Sequence, residues 1–173
     1  GREENVSADA RVHRVDVRDL AAVQATVGAF RPEIVNHHAA QSEVPKSVAD
    51  PGYDAQVNVV GGANVAHAFA PALVEARSGT MLFLASIAGQ IGSQTDPPYS
   101  VSKAGLINFA QCAARDLAPF CVRVNALCPG MVKTALNRST FEAWAARQPE
   151  GRRPTYEEWA ADKIQKLVPL NRW

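Results

Sequence analysis

The feature that most constrains this chain is an alternation of short apolar runs with longer segments of helical periodicity. TMLFLAS (80–86) and CVRVNAL (121–127) are apolar runs of strand length, the first preceded by Ser78-Gly79 and the second closed by Pro129-Gly130. Between them, a stretch from about Tyr99 to Leu117 reads as helix. Upstream, RVHRVDV (11–17) sets Val12, Val15 and Val17 in a short strand. Asp19 then caps a helix in which Leu20, Val23, Val27 and Phe30 recur at helical spacing until Arg31-Pro32 stops it. Ile34 and Val35 predict a second brief strand, followed by the polar turn NHHAAQSE. Asp50-Pro51 opens an Ala- and Val-rich helix to about Arg77, weakened at Gly61-Gly62 unless close packing compensates. Ser139 with Glu142 and Thr155 with Glu158 have capping-box spacing and predict two further short helices.

Such an order predicts an α/β fold, a doubly wound parallel sheet with helices on both faces. Ligands of such sheets sit beyond the carboxyl ends of the strands. The turns after residues 17, 36, 86 and 128 are therefore where chemistry is to be sought. Composition narrows the classes further. A 47% hydrophobic chain with 20% charged residues can bury a core, and a net charge of +1 gives no electrostatic footprint for nucleic acid. Apolar runs of about seven residues fall short of the ~20 that span a bilayer, so a cytoplasmic protein is expected. Cys112, Cys121 and Cys128 lack C-x-x-C spacing, and His37-His38 has no third ligand at a sensible distance, so no disulfide framework or metal is expected. Cys128 reads as a small buried side chain.

The sharpest chemical signal is Tyr99-Ser-Val-Ser-Lys103. Residues i and i+4 share a helix face, which makes the phenol and the ammonium neighbours. A free phenol, with a pKa of about 10, is a poor general base near neutrality, and a cation beside it favours the charged form. Ser86, thirteen residues upstream at the end of the central apolar run, could hydrogen-bond the same substrate oxygen. Taken singly, each has a plainer reading: a surface pair on a helix, and a turn serine.

Together these residues give the chain its resemblance to the short-chain dehydrogenase/reductase family. Ser86 and Tyr99 have that family's spacing, and Tyr99 with Lys103 matches its Tyr-x-x-x-Lys. Asn58, in QVNVVGG, matches the Asn that completes its catalytic tetrad, and Pro129-Gly130-Met131-Val132-Lys133-Thr134 matches its Pro-Gly-x-Val-x-Thr turn. The resemblance implies a Rossmann-like fold and NAD or NADP as cofactor. It implies Tyr99 as general acid/base, Lys103 as the cation that acidifies the phenol and holds the nicotinamide ribose, and Ser86 as the group orienting the substrate oxygen. Asn58, at a bend in its helix, would hold the water of a proton relay. Val132 and Thr134 would hold the carboxamide beside Pro129 and Gly130. Asp16-Val17 resembles the pair that touches adenine; a turn carboxylate is the other reading of Asp16. Ala39 and Ala40, in the stretch after the predicted second strand, would also line the cofactor.

Residues 11–65 look more like the family's extended, sugar-nucleotide epimerase-like branch, and residues 78–173 like its compact, polyol dehydrogenase-like branch. Lys46 and Ser47 could lie near the cofactor as in the extended branch, or form a solvated loop. The family's G-x-x-x-G-x-G turn is not among the 173 residues. The resemblance therefore implies a single partial domain over 1–173, with the first strand, the Gly-rich turn and the last strand missing, and with apolar faces and strand edges left open. The implied activity is hydride transfer between the cofactor and a secondary alcohol or ketone, a polyol or sugar among the candidates. An epimerase or dehydratase of nucleotide sugars, or an inactive fragment, are the alternatives. Helices around 53–76 and 99–118 resemble those the family uses to dimerise, implying a homodimer or homotetramer. Specificity would sit in 88–98 and 134–168, with Trp144 and Trp159 in a lid.

Overall fold

The computed structural model describes residues 6–41, 44–92 and 97–167. The chain divides into two compact units, 1–128 and 129–173. In the first, helix α1 (Leu20–Phe30) begins at Asp19, whose carboxylate accepts the Ala22 N–H at 3.0 Å, and ends at Arg31 in the left-handed region. Helix α2 covers Val44–Ala49 and α3 covers Pro51–Ala55, the latter capped by Asp50 accepting the Tyr53 N–H at 2.9 Å. A π-helical turn, Gln56–Val60, leads without a break into α4 (Gly61–Ala76). Strand β1 (Gly79–Leu84), a 3₁₀ turn at Ile87–Gly89, helix α5 (Pro97–Leu117), a second 3₁₀ turn at Ala118–Phe120 and strand β2 (Val122–Leu127) follow.

β1 and β2 pair in parallel, in register from Gly79 opposite Val122 to Leu84 opposite Leu127. A parallel pair needs a crossover, and α5 supplies it. Met81, Val122 and Val124 point to one sheet face and bury against Ala110 of α5, with Leu117 of α5 and Ala66, Ala70 and Leu73 of α4 around them. Ser102, Leu106 and Ala110, four residues apart, make the buried stripe of α5. The opposite face carries Leu82 and Leu84, 65% and 62% exposed, so within this unit helices cover one face of the sheet and not both.

The expected strands at 11–17 and 34–35 are not strands: among the described residues neither segment joins a β ladder, and Val17 lies in a turn. A strand exists by virtue of its ladder, and among the described residues only β1 and β2 pair. The solvated loop expected at Lys46 and Ser47 is corrected too, since both lie in α2 and Ser47 is 1% exposed. The run Pro51–Ala76 is 26 residues of continuous helix, long and apolar enough by length and composition alone to cross a membrane, whereas the sequence offered only short apolar runs. It carries the buried polar residues Asp54 and Asn58 and packs against α1 and α5.

In the second unit, α6 (Ala135–Ala145) is capped by Thr134, which accepts the Asn137 N–H at 3.1 Å. Ser139 therefore lies inside α6 and is not the cap its spacing with Glu142 implied; Thr134, five residues nearer the Pro-Gly turn, begins the helix first. The Thr155–Glu158 box does form at the head of α7 (Tyr156–Leu167), with Thr155 N–H donating to Glu158 at 2.7 Å and Glu158 N–H donating to the Thr155 hydroxyl at 3.3 Å. Tyr156, Trp159 and Ala160 form this unit's core, with Met131 and Phe141 against them.

Candidate active site

Tyr99 and Lys103 stand in the N-terminal half of α5, against which the turn that follows Ser86 and the π turn that carries Asn58 both pack. Tyr99 and Lys103 share one helix face, and the Lys103 ammonium lies 5.7 Å from the centre of the Tyr99 ring. The same ammonium donates to the Leu84 carbonyl at the end of β1, at 3.0 Å. Burial pushes the Lys103 ammonium below its ordinary pKa, and the negative charge of Asp54 acts in the opposite direction. The cation is thus half-buried, tied to a strand end and set against the phenol.

Ser86 lies two residues beyond β1 and caps the 3₁₀ turn, its hydroxyl accepting the Ala88 N–H at 3.2 Å. That turn sits directly on α5. A Cβ placed on Gly89 would lie 2.6 Å from the Lys103 carbonyl carbon and 2.7 Å from the Ala104 nitrogen, so only glycine permits the approach. The close fit ties Ser86 to the helix that carries Tyr99 and Lys103.

Asn58 falls in the π-helical turn between α3 and α4. The turn packs on α5, with Val59 against Gly105, while Gly62 next in α4 faces Leu106. The Asn58 carboxamide is pinned on every side. Its oxygen accepts the Gln41 N–H at 2.8 Å, and its nitrogen donates to the Gln41 carbonyl at 2.9 Å and to Asp54 at 3.0 Å. Asp54 is fully buried and also accepts the Ser47 hydroxyl at 2.7 Å, while the Gln41 side chain donates to Ser47 at 2.8 Å. Sequence reasoning missed Gln41, Ser47 and Asp54 as a group. Asp54 stands four residues before Asn58, a helical spacing that carried the signal; nothing local foretold Gln41.

Of the residues expected along the cofactor, Asp16 is held by Arg18, with a shortest ion-pair distance of 2.6 Å. The Arg18 hydrogen bonds pull the Asp16 carboxyl down to about 2. Arg18 in turn lies 5.3 Å over the Tyr53 ring. The Val17 carbonyl accepts the Asn64 side-chain amide at 2.9 Å, and a Cβ on Gly61 would meet the Val17 side chain at 2.7 Å, so this segment docks closely on the head of α4. The Gly61-Gly62 pair that weakens helix propensity is repaid by those approaches. Ala39 and Ala40 are exposed, lie outside any helix or strand, and run directly into Gln41. Pro129, Gly130, Val132 and Thr134 belong to the second unit, where Thr134 is the α6 cap. In that unit Trp144, Pro154, Glu158, Trp159, Asp162 and Lys163 line an open pocket of about 440 Å³. Cys128 is half-buried.

With this geometry in view, comparison with known proteins places the chain. The family model of the short chain dehydrogenases matches residues 2–145. A Streptomyces virginiae protein, named provisionally as the ketoacyl reductase of a monensin polyketide synthase, is 30% identical over 99% of this chain and 67% of its own length. A solved actinorhodin polyketide ketoreductase variant with NADPH is 28% identical, with a TM-score of 0.71 over 91% of this chain and 63% of that one. A solved NAD+-bound xylitol dehydrogenase is 26% identical, with a TM-score of 0.69 over 91% of this chain and 65% of that one. The chain belongs to the short-chain dehydrogenase/reductase family, and its fold is the family's Rossmann-like α/β fold, here with two described strands. It spans about two thirds of the length of these relatives.

Proposed function

We propose that the protein is a cytoplasmic NAD(P)-dependent oxidoreductase acting on a secondary alcohol or ketone, with Tyr99 as its general acid/base. The observation that carries the reading is the Lys103 ammonium set 5.7 Å from the Tyr99 ring and anchored on Leu84. The chemistry of the residues fits a dinucleotide: Lys103 offers a cation to ribose hydroxyls, and small Ala39 and Ala40 leave backbone open to a flat ligand. The cofactor, when bound, supplies the hydride that reaches the carbonyl carbon.

The chain's own residues manage position and protons. In reduction, the Tyr99 hydroxyl gives its proton to the carbonyl oxygen, and the resulting phenolate is stabilised by the neighbouring Lys103 cation. Ser86 donates a hydrogen bond to that oxygen and fixes its place. Both amide hydrogens of Asn58 are committed to Gln41 and Asp54, so a relay through Asn58 runs by its main-chain carbonyl in the π turn. Asp16, Val17, Ala39 and Ala40 serve the adenosine side, and Pro129, Gly130, Val132 and Thr134 the nicotinamide side. A second copy of the chain is the expected partner, through α4 and α5; exposed Val60 and Val101 on the π turn and α5 support that choice.

The test is NAD(P)H oxidation followed at 340 nm against ketones that include polyketide-like and sugar-derived compounds. It is run on the chain alone and on the chain preceded by a family strand and Gly-rich turn. Ketone-dependent oxidation in either form supports the reading. Absence of both cofactor binding and turnover in folded samples of both forms contradicts it.

A further inference from the structure

The geometry points to a sugar-binding site in the second unit: the pocket between α6 and α7 takes a neutral pyranose ring, stacked on Trp144 and hydrogen-bonded by Glu158, Asp162 and Lys163. Binding there rests on the second unit alone. Only the further step, that such a sugar is the alcohol or ketone turned over, rests on the oxidoreductase reading.

The pocket follows from the sequence of α7. Glu158, Trp159, Asp162 and Lys163 fall three and four residues apart and share one face of the helix. Trp144, near the end of α6, stands beside them, its ring centre 6.3 Å from that of Trp159 and the planes tilted by 38°. Phe141 packs against both indoles, with ring centres 6.2 Å from Trp144 and 5.5 Å from Trp159. Trp159 belongs to the unit's core and is 9% exposed, whereas Trp144 keeps 36% of its surface open. That open indole borders a volume of about 440 Å³, within the range of small-ligand pockets.

The groups around the opening select the guest. Glu158 and Asp162 are balanced by Lys163 and Lys166, so the rim favours neither a cation nor an anion. The Lys163 ammonium already lies 5.5 Å over the Trp159 ring, the place a foreign cation would take. The rim nevertheless offers both kinds of hydrogen bond. The Glu158 carboxylate makes its two bonds to Thr155 through Oε2, which leaves Oε1 to accept. Asp162 holds Lys166 at 2.7 Å in an exposed pair weak enough to open, and Lys163 donates. Acceptors and a donor around an indole face match a molecule with hydroxyls on its rim and C–H groups on its face. A pyranose with equatorial hydroxyls is such a molecule, because its axial C–H bonds turn slight positive charge toward the negative face of the indole. An open-chain polyol has the hydroxyls but no flat face to stack. A purely aromatic guest has the face but leaves the polar rim unpaired.

The experiment titrates the ¹⁵N-tryptophan-labelled chain with the methyl pyranosides of glucose, galactose and mannose, followed by NMR. The indole N–H peaks of Trp144 and Trp159 are assigned by their loss in Trp144→Phe and Trp159→Phe. At least one pyranoside moves the Trp144 peak saturably, with an affinity that is the same in low and high salt. Trp144→Ala weakens that binding about tenfold, read at the Trp159 peak. Lys163→Ala, a change on an exposed helix face, removes the donor and weakens it about fivefold; at a cation site the same change would free the indole and tighten binding. The proposal is overturned if no pyranoside saturates, if sorbitol binds as tightly as the pyranosides, or if tetramethylammonium moves the Trp144 peak and the sugars do not. Unchanged affinity in both Trp144→Ala and Lys163→Ala also overturns it. No cofactor or turnover enters this readout, so a sugar site in a chain that never oxidises NAD(P)H upholds this inference while the oxidoreductase reading fails.

Discussion

Replacing Gly89 by alanine is a sharp test of how the 3₁₀ turn bearing Ser86 is held. The added methyl carbon would stand 2.6 Å from the Lys103 carbonyl carbon, 2.7 Å from the Ala104 nitrogen and 2.9 Å from the Lys103 oxygen. All three are backbone atoms of α5 and cannot swing aside as a side chain would. Comfortable carbon contacts begin near 3.5 Å, so the turn must withdraw by roughly 1 Å. Overpacking of this kind costs about 1–3 kcal/mol. With a urea m-value of about 1–3 kcal/mol/M, the unfolding midpoint falls by on the order of 1 M. Ser86 caps the turn and moves with it, and on the role proposed for Ser86 a displacement of about 1 Å costs up to about a hundredfold in kcat/KM. Gly28→Ala serves as the control of opposite sign. It lies in α1 with nothing within 4 Å of the new methyl, so it gains about 0.5–1 kcal/mol from helix propensity. Urea unfolding of the two variants against the parent would refute the reasoning if Gly89→Ala were as stable as Gly28→Ala.

Arg18→Ala removes the hydrogen bonds that hold the Asp16 carboxyl at about 2, and ¹³C NMR should find that group back near its ordinary value of 3.8. Because Asp16 is depressed in the folded state, its support for folding is present above pH 4 and is lost as pH falls toward 2; in Arg18→Ala this acid-limb loss disappears from stability measured against pH. In the second unit, Thr155→Ala removes the hydroxyl that accepts the Glu158 N–H while the residue-155 N–H can still donate to Glu158, and it lowers the stability of α7 by about 1 kcal/mol, read by circular dichroism on thermal unfolding.

Much of the fold was legible because its signals are local. Asp19, Asp50, Thr155 and the Arg31-Pro32 stop all act through atoms within four residues, and each does what its position implied. β1 and β2 were legible as dense apolar runs that find each other. The segments 11–17 and 34–35 carry the same kind of apolar signal, but a strand is completed by its neighbour, and pairing is not written in either segment. Ser139 failed because two capping signals competed and the sequence pattern cannot rank them. At the site, the Tyr99–Lys103 pair was readable because one helix turn fixes it. The knot of Gln41, Ser47, Asp54 and Asn58 was not, since Gln41 reaches Asn58 across seventeen residues of chain.

The central claim is that the Tyr99 hydroxyl moves the proton while Lys103 holds the charge beside it. Tyr99→Phe removes one oxygen and leaves the ring and Lys103 in place, so the variant should bind NAD(P)H as the parent does, by fluorescence titration. Its ketone-dependent NAD(P)H oxidation should drop by at least about a hundredfold, the lower end of what a positioned acid contributes. Turnover at the parent's rate in a Tyr99→Phe protein that still binds the cofactor would contradict the account.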